Sequence, residues 1–241
     1  MLETVLISGG TKGLGRALSL SFAQAGFHVV ATYRSDLDGA QGLHEAFISG
    51  GLDPRRLTCL QHDVRTPLPP VPAIQDADAL ILIHNACASF QPKPMHLCTT
   101  EDLQTQWEVA VLGGWMLSQA VIRRMVRNKR GTIVNILSEV VEGPAPKGFS
   151  VYTCAKYGLL GLTRSLAAEY NPRGIRVFAV SPGFMETTLT ADWDATLKRA
   201  LAPADSTAVS PDAVASFVHS LCTRPSAPDF GEGENYRVQR S

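Results

Sequence analysis

A tyrosine and a lysine lie four residues apart in a segment with helical periodicity, and a serine precedes them at the end of a strand-like run. At this spacing Tyr152 and Lys156 share one face of a helix. An ammonium beside a phenol favours the phenolate and lowers a pKa that is ordinarily about 10. Ser138 follows the apolar run 133–137, where its hydroxyl can hydrogen-bond a substrate oxygen. The three side chains predict proton exchange with a bound alcohol or carbonyl group.

A glycine-rich turn stands near the start of the sequence, between a strand-like run at 4–8 and a segment with helical spacing. Glycines let a backbone approach a pyrophosphate closely, and the N-terminus of the next helix supplies unpaired N–H groups and a positive dipole end. A plain structural turn also needs glycine and is the alternative. The pattern predicts a dinucleotide site whose candidate residues are Gly9, Thr11, Lys12, Gly13, Leu14 and Gly15.

The end of the second strand-like run indicates which dinucleotide would bind. An NAD site places a carboxylate there for the ribose 2′-hydroxyl, whereas this chain has Thr-Tyr-Arg-Ser at 32–35. Arg34 and Lys12 can instead bind a 2′-phosphate. The alternative is that both are solvated surface cations. The sequence therefore predicts NADP(H) as the cofactor.

Strand-like and helix-like segments alternate along the chain, and this alternation must position the chemical groups. Such alternation predicts a parallel sheet with right-handed crossovers. We therefore expect an α/β fold, a single-domain doubly wound parallel sheet of Rossmann type with helices on both faces, spanning residues 1–241. The predicted strands are 4–8, 27–33, 57–60, 79–83, 132–137 and 175–180, and the later predicted helices are 37–48, about 101–127 and about 152–170.

Composition excludes several classes of protein. The 241 residues carry 22 Lys and Arg against 22 Asp and Glu, so no bulk field favours nucleic acid or an anionic membrane. No apolar run is long enough to span a bilayer. Five cysteines without a CxxC pair indicate reduced thiols and no metal site. The first residues lack the pattern of a secretory signal, which predicts a cytoplasmic protein.

Two stretches interrupt the alternation. Residues 66–72 contain four prolines, which predicts an extended strap in place of a helix. Residues 187–210 are mixed in composition and follow a Pro-Gly pair, which predicts a substrate lid.

Together these motifs resemble the short-chain dehydrogenase/reductase family over nearly the whole chain. The resemblance extends the cofactor-binding candidates to Asp63, Val64, Asn85, Ala86, Tyr152, Lys156, Pro182, Gly183 and Thr187. It implies that Ser138 holds the substrate oxygen and Tyr152 exchanges its proton. It further implies that Lys156 binds the nicotinamide ribose and lowers the tyrosine pKa. Hydride then moves between nicotinamide and substrate carbon.

Within that family the chain is most similar to 3-oxoacyl-[acyl-carrier-protein] reductases, through its 181–190 loop and its 233–238 segment. This similarity implies NADPH-dependent reduction of a β-ketoacyl thioester. It also implies docking of an acyl carrier protein through Lys129, Arg130 and Arg173, although cations at a helix C-terminus equally suit its dipole. A homotetramer or homodimer is expected through the two long helices.

Two other functions stay open at this stage. The same triad would serve a reductase or dehydrogenase of a free small alcohol, sugar or steroid. The chain would alternatively be a cofactor-binding partner or regulator with weak catalysis. The second alternative is motivated by Ala110, which stands where the family has an asparagine, and by Cys87 after the Asn85-Ala86 pair. His84, before that pair, is a further departure from the family pattern. His84 is interpreted as a structural hydrogen-bonding residue or a titrating one, and Cys87 as a packed thiol or a reactive one.

Overall fold

The protein is described here by a computed structural model, which covers residues 2–201, 208–224 and 233–238. Within these residues seven strands form one parallel sheet in the order β3-β2-β1-β4-β5-β6-β7. The predicted doubly wound fold is confirmed. The strands are β1 Glu3–Ser8, β2 His28–Tyr33, β3 Leu57–Gln61, β4 Ala79–His84, β5 Gly131–Ile136, β6 Ile175–Pro182 and β7 Asn235–Val238.

Helices cover both faces of the sheet and create two apolar layers. Along β1, Val5 and Ile7 join one layer and Leu6 joins the other, as the two-residue period of a strand requires. The apolar run of β4 is buried along its whole length because it packs on both sides. The helices are α1 Gly13–Gln24, α2 Leu37–Ser49, α3 Pro72–Gln75, α4 Thr100–Trp107, α5 Gly113–Asn128, α6 Ser150–Tyr170, α7 Ala195–Leu201 and α8 Pro211–Thr223.

The long helix predicted at about 101–127 is interrupted. Thr99 and Asp102 form a capping box that starts α4, and a π-turn at Glu108–Leu112 then separates α4 from α5. A π-turn inserts one residue into the helical hydrogen-bond pattern, and such turns are frequent at functional sites. The apolar periodicity of the segment gives no sign of it, so the prediction of one uniform helix was wrong at this point.

Residues 67–71 of the proline-rich stretch form neither helix nor strand, and Val71 has extended backbone angles. Pro72 then starts the one-turn helix α3, a position where proline fits because the missing N–H has no partner to lose. In the part of the chain that the structure describes, no helix is long and apolar enough to cross a membrane.

The strand order reverses between β1 and β4, which are neighbours in the sheet although two strands separate them in sequence. In open α/β sheets ligands bind in the crevice outside the carboxyl ends of the strands at such a point. The glycine turn follows β1 and the Asn85-Ala86 pair follows β4, so the fold brings both to this crevice.

Candidate active site

A cavity of about 420 Å³ opens at the carboxyl edge of the sheet. The fold brings almost all predicted site residues to it. Its walls include Ser138, Tyr152 and Lys156 together with Gly9, Thr11, Lys12, Gly13, Leu14, Arg34, Asp63, Val64, Asn85, Ala86, Pro182, Gly183 and Thr187. Gly15 is the exception among the candidates, because it packs behind the loop against Gly9.

Tyr152 and Lys156 project from the first turns of α6 and are both buried. The Lys156 ammonium donates a hydrogen bond to the Ile136 carbonyl at 2.8 Å and lies 5.5 Å from the centre of the Tyr152 ring. Ser138 follows the end of β5, and its hydroxyl lies near that of Tyr152 on the cavity wall. The arrangement thus places two hydroxyl groups and one ammonium around a single point of the cavity wall.

Burial controls the protonation of this pair. Desolvation raises the pKa of Tyr152 above its usual value, and Cys87 and Glu139 act in the same direction, while the hydrogen bond to Ser138 opposes them. Desolvation also lowers the pKa of Lys156. In this state the Tyr152 phenol is protonated and can donate a proton. Lys156 is not among the groups that shift this pKa, so the lowering of the tyrosine pKa by Lys156 stays a prediction.

The glycine loop forms an open cradle at the start of α1. Gly9 and Gly13 have φ values of +63° and +51°, a left-handed conformation that favours glycine. A Cβ on Gly15 would lie 1.9 Å from the Gly9 carbonyl oxygen, so only glycine lets the helix pack this closely. The first turn of α1 carries no acidic residue, and its free N–H groups and dipole suit an anionic ligand.

The region after β2 contains a carboxylate that the sequence interpretation did not include. Arg34 lines the cavity, as predicted, but the Lys12 ammonium lies 3.4 Å from the carboxylate of Asp36. Asp36 also caps α2 by accepting a hydrogen bond from the Gly39 N–H at 3.0 Å. The sequence could have indicated this carboxylate, because Asp36 lies only two residues after Arg34. Asp36 partly neutralises the positive charge of Lys12.

The residues that follow β3 offer hydrogen-bond acceptors for a nucleotide base. The Arg65 guanidinium holds the pKa of Asp63 at about 2, so this carboxylate stays charged. His62 is buried in the same wall; its Nε2 lies 3.0 Å from the Thr66 carbonyl oxygen, and its Nδ1 has no hydrogen-bond partner among the described residues. An orphaned buried acceptor here fits the amino group of a base. Sequence reasoning missed His62, although it directly precedes Asp63.

Aromatic side chains surround the remaining part of the cavity: Phe149 and Trp193 line it, and Phe90 packs against Tyr152. The Phe90 ring stacks on the Tyr152 ring with centroids 4.8 Å apart, and Phe149 meets both rings edge to face. The Trp193 indole N–H donates to the Phe90 carbonyl at 3.1 Å. Trp193 belongs to the predicted 187–210 lid, of which residues 202–207 lie outside the described residues. Glu139 also lines the cavity.

The basic residues predicted to dock a carrier lie close together in the fold. A Cβ on Gly174 would be 2.8 Å from the Lys129 carbonyl oxygen, so Arg173 and Lys129 are neighbours. Arg130 forms an ion pair with Glu3 at 2.6 Å. These residues precede β5 and β6, whereas Ser138 follows β5. A strand of six residues spans about 20 Å, so the basic group lies at the opposite edge of the sheet from the cavity.

The two side chains that flank the Asn85-Ala86 pair have different environments. His84 is fully buried behind the cavity wall and contacts the π-turn at Ala110. Cys87 faces the cavity, and burial raises the pKa of its thiol. A raised pKa disfavours the reactive thiolate, so Cys87 acts as a packed side chain. Among the described residues no group of His, Cys, Asp and Glu is arranged to hold a metal ion.

Comparisons with known proteins agree with this fold. The family model described as short chain dehydrogenase matches residues 3–198. The bovine 3-oxoacyl-[acyl-carrier-protein] reductase is 32% identical over 195 residues, 80% of this chain and 79% of that protein. The 3beta-hydroxysteroid dehydrogenase 1 of Eggerthella lenta is 33% identical over 199 residues, 79% and 73% of the two chains. The crystal structure of acetoin dehydrogenase from Enterobacter cloacae superposes with a TM-score of 0.78 at 27% identity, covering 99% of this chain and 94% of that one.

Proposed function

The chain belongs to the short chain dehydrogenase family, and we propose that it reduces a β-ketoacyl thioester with NADPH to the β-hydroxyacyl product. One observation carries the proposal: Ser138, Tyr152 and Lys156 meet at the wall of a cavity that the glycine loop also lines. The similarity to 3-oxoacyl-[acyl-carrier-protein] reductases supports the choice of substrate.

The residues of the cavity fit a nicotinamide dinucleotide. Gly9 and Gly13 present backbone without side chains at the N-terminus of α1, which suits a pyrophosphate. Asp63 and the orphaned His62 Nδ1 supply acceptors for a base. Arg34 and Lys12 supply donors for a 2′-phosphate, and this pairing supports NADP(H) over NAD(H).

The chain's own groups carry the proton chemistry. When bound, the nicotinamide supplies the hydride. Ser138 donates a hydrogen bond to the substrate carbonyl oxygen, and Tyr152, protonated because it is buried, gives its proton to that oxygen as charge develops on it. Lys156 uses one N–H on the Ile136 carbonyl and has two left for a ribose and for stabilising the phenolate that forms.

Steady-state assays with an acetoacetyl thioester test the proposal. We expect NADPH oxidation to depend on Tyr152, with Tyr152→Phe reducing kcat by at least about 100-fold because the proton donor is lost. Tyr157→Phe is the matched control, because this half-exposed tyrosine lies five residues further along α6, where its hydroxyl donates a hydrogen bond to the Val141 carbonyl. Turnover that persists unchanged in Tyr152→Phe would overturn the proposal.

A carrier-bound substrate is the finer form of the proposal. It rests on the similarity to 3-oxoacyl-[acyl-carrier-protein] reductases and on the exposed side chains of Lys129 and Arg173. These two residues lie side by side at the edge of the sheet opposite the cavity, so the carried acyl group has to reach the cavity from that edge. Charge reversal at both positions should raise KM for a thioester on an acidic carrier protein by about tenfold and leave KM for the same acyl group on coenzyme A unchanged. An equal effect on both substrates, or none on either, would reject carrier docking at this surface.

A second candidate is a dehydrogenase of a free small alcohol or sugar. It is favoured by Glu139, a half-buried carboxylate that lines the cavity beside Ser138 and has no hydrogen-bond or ion-pair partner among the described side chains. A carboxylate there accepts hydrogen bonds from substrate hydroxyls. A panel of polyols and hydroxyketones against Glu139→Gln separates the candidates, because only a hydroxyl-rich substrate should lose affinity.

A further inference from the structure

The buried histidine at the end of β4 has no part in the mechanism above, yet both of its ring nitrogens are hydrogen-bonded. His84 Nδ1 lies 3.0 Å from the Ser8 hydroxyl oxygen, and its Nε2 lies 2.9 Å from the Ala110 carbonyl oxygen. The side chain is 1% exposed. The ring thus bridges the residue before the glycine loop and the π-turn.

The hydrogen-bond partners fix the tautomer of this ring. The Ser8 hydroxyl oxygen accepts from the backbone N–H groups of Asn85 and Ala86, each at 3.0 Å, which leaves its own hydrogen for His84 Nδ1. The Ala110 carbonyl can only accept, so Nε2 carries the ring hydrogen. The hydrogen bonds therefore run in one direction: the Ser8 hydroxyl donates to Nδ1, and Nε2–H of the neutral imidazole donates to the Ala110 carbonyl.

The surroundings keep the ring neutral. Burial and the charge of Lys156 on α6 lower the pKa of His84 to about 4, and the hydrogen bonds to the carbonyls of Ala110 and Val109 oppose this only in part. Gly114 of α5 leaves the space for the ring, because a Cβ there would lie 3.0 Å from His84 Cδ2. The imidazole is therefore held between elements without being able to take a proton at neutral pH.

Each end of the network supports a different part of the cavity. On one side, the Ser8 hydroxyl accepts a hydrogen bond from the Asn85 backbone N–H. The Asn85 side chain in turn donates to the carbonyls of Ser8 and Gly9 at 3.1 Å, so these bonds together hold the start of the glycine loop. On the other side, the π-turn and α4 pack tightly on α6. A Cβ on Gly158 would meet Trp107 at 2.7 Å and Val111 at 2.9 Å.

We propose that His84 is a positioning residue that sets the distance between the glycine loop and the π-turn behind α6, and thereby the placement of a bound dinucleotide relative to Tyr152 and Lys156. A π-turn shifts the helical pattern so that a carbonyl needs an outside partner, and Nε2–H supplies one to Ala110. The proposal rests on the proposed function for its turnover measurement alone.

The tautomer is tested on the protein without substrate. In the ligand-free protein labelled with ¹⁵N-histidine, we expect the His84 nitrogens to report a single neutral Nε2–H form throughout pH 5 to 8. His84→Asn identifies the resonance. Titration of this ring near its ordinary pKa, or averaging between the two tautomers, would overturn the proposal.

Two conservative variants separate the two ends of the bridge. A glutamine amide takes the position of Nε2 and keeps the bond to Ala110, while an asparagine oxygen takes the position of Nδ1 and keeps the bond to Ser8. We expect His84→Gln to raise the Kd for NADPH, measured by calorimetry, roughly tenfold with kcat within about twofold. His84→Asn should lower kcat roughly tenfold with Kd within about twofold, each change being the loss of one buried hydrogen bond.

Controls make either outcome decisive. Ser8→Ala should reproduce the weaker NADPH binding of His84→Gln without adding to it in the double variant. Ser118→Ala on α5, a buried hydroxyl without a hydrogen-bond partner among the described residues, should change neither quantity. Parallel changes in Kd and kcat in both variants, or no change in either, would show that His84 only fills space. Absence of turnover in the unmodified protein would reject the proposed function, while the NADPH Kd and the tautomer would still decide the role of His84.

Discussion

The two halves of the cavity are built in different ways. The dinucleotide half consists of strand ends and backbone: the loop after β1, the turn after β2 and the pair after β4, all placed by adjacent strands. The substrate half consists of side chains from distant segments, such as Phe149 and Trp193, which pack with Phe90 around Tyr152. The first half depends on local backbone geometry and the second on long-range packing.

The largest effect is expected in the backbone half. Gly15→Ala places a Cβ 1.9 Å from the Gly9 carbonyl oxygen, which neither backbone can avoid. We expect NADPH binding to weaken about 100-fold and the free energy of unfolding to fall by about 3 kcal/mol. Calorimetry and urea unfolding measure the two quantities.

Gly42→Ala in α2 is the matched control, because a Cβ there meets nothing within 4 Å. Alanine is the better helix former, so stability should rise by about 0.5–1 kcal/mol with no change in NADPH binding. If both variants bound NADPH with the same affinity, the close packing of α1 on the glycine loop would not be required for dinucleotide binding.

A smaller effect, confined to the other half, is expected at Trp193. Trp193→Ala removes a buried ring and the hydrogen bond to the Phe90 carbonyl, so KM for an acyl substrate should rise about 30-fold while the Kd for NADPH stays within about twofold. Trp193→Phe keeps an aromatic ring and loses the N–H alone, which should raise KM about fivefold. Equal losses of substrate and cofactor affinity would show that the two halves are not independent.

The charge balance after β2 should produce a change of about tenfold. Arg34→Ala should weaken NADPH binding about tenfold and leave NADH binding unchanged, since only the 2′-phosphate differs. Asp36→Asn removes the partner of Lys12 and should strengthen NADPH binding a few-fold. Competitive binding of the two dinucleotides measures both. A loss of NADH affinity in Arg34→Ala would place this side chain on another part of the ligand.

The contrast between the halves also explains what the sequence could predict. The glycine loop, Asn85-Ala86 and the Tyr152–Lys156 spacing are short motifs whose geometry follows from the turn or helix that carries them, and the cavity contains them as expected. The Trp193–Phe90 hydrogen bond joins residues 103 positions apart, and no periodicity reports it. The π-turn and the bridging role of His84 likewise depend on tertiary contacts. Asp36 and His62 lay beside predicted residues and needed only the turn geometry to be identified.

The smallest expected effect is on the free energy of unfolding and comes from Asp63, an acidic residue of the dinucleotide half. Arg65 holds the pKa of Asp63 at about 2, below its usual 3.8, so this group contributes stability that is fully present above about pH 4 and is lost as pH falls through 2. Because the pair is partly exposed, we expect Asp63→Asn to lower the free energy of unfolding by about 1 kcal/mol at pH 7 and by only a small part of that at pH 2.

Urea unfolding across this pH range measures the difference, and Arg65→Ala should reproduce it without adding to it in the double variant. A destabilisation that persists unchanged to pH 2 would mean that Asp63 acts through its shape and hydrogen bonds rather than its charge. The charge would then matter only to the ligand, and the dinucleotide half would depend, like the substrate half, on packing.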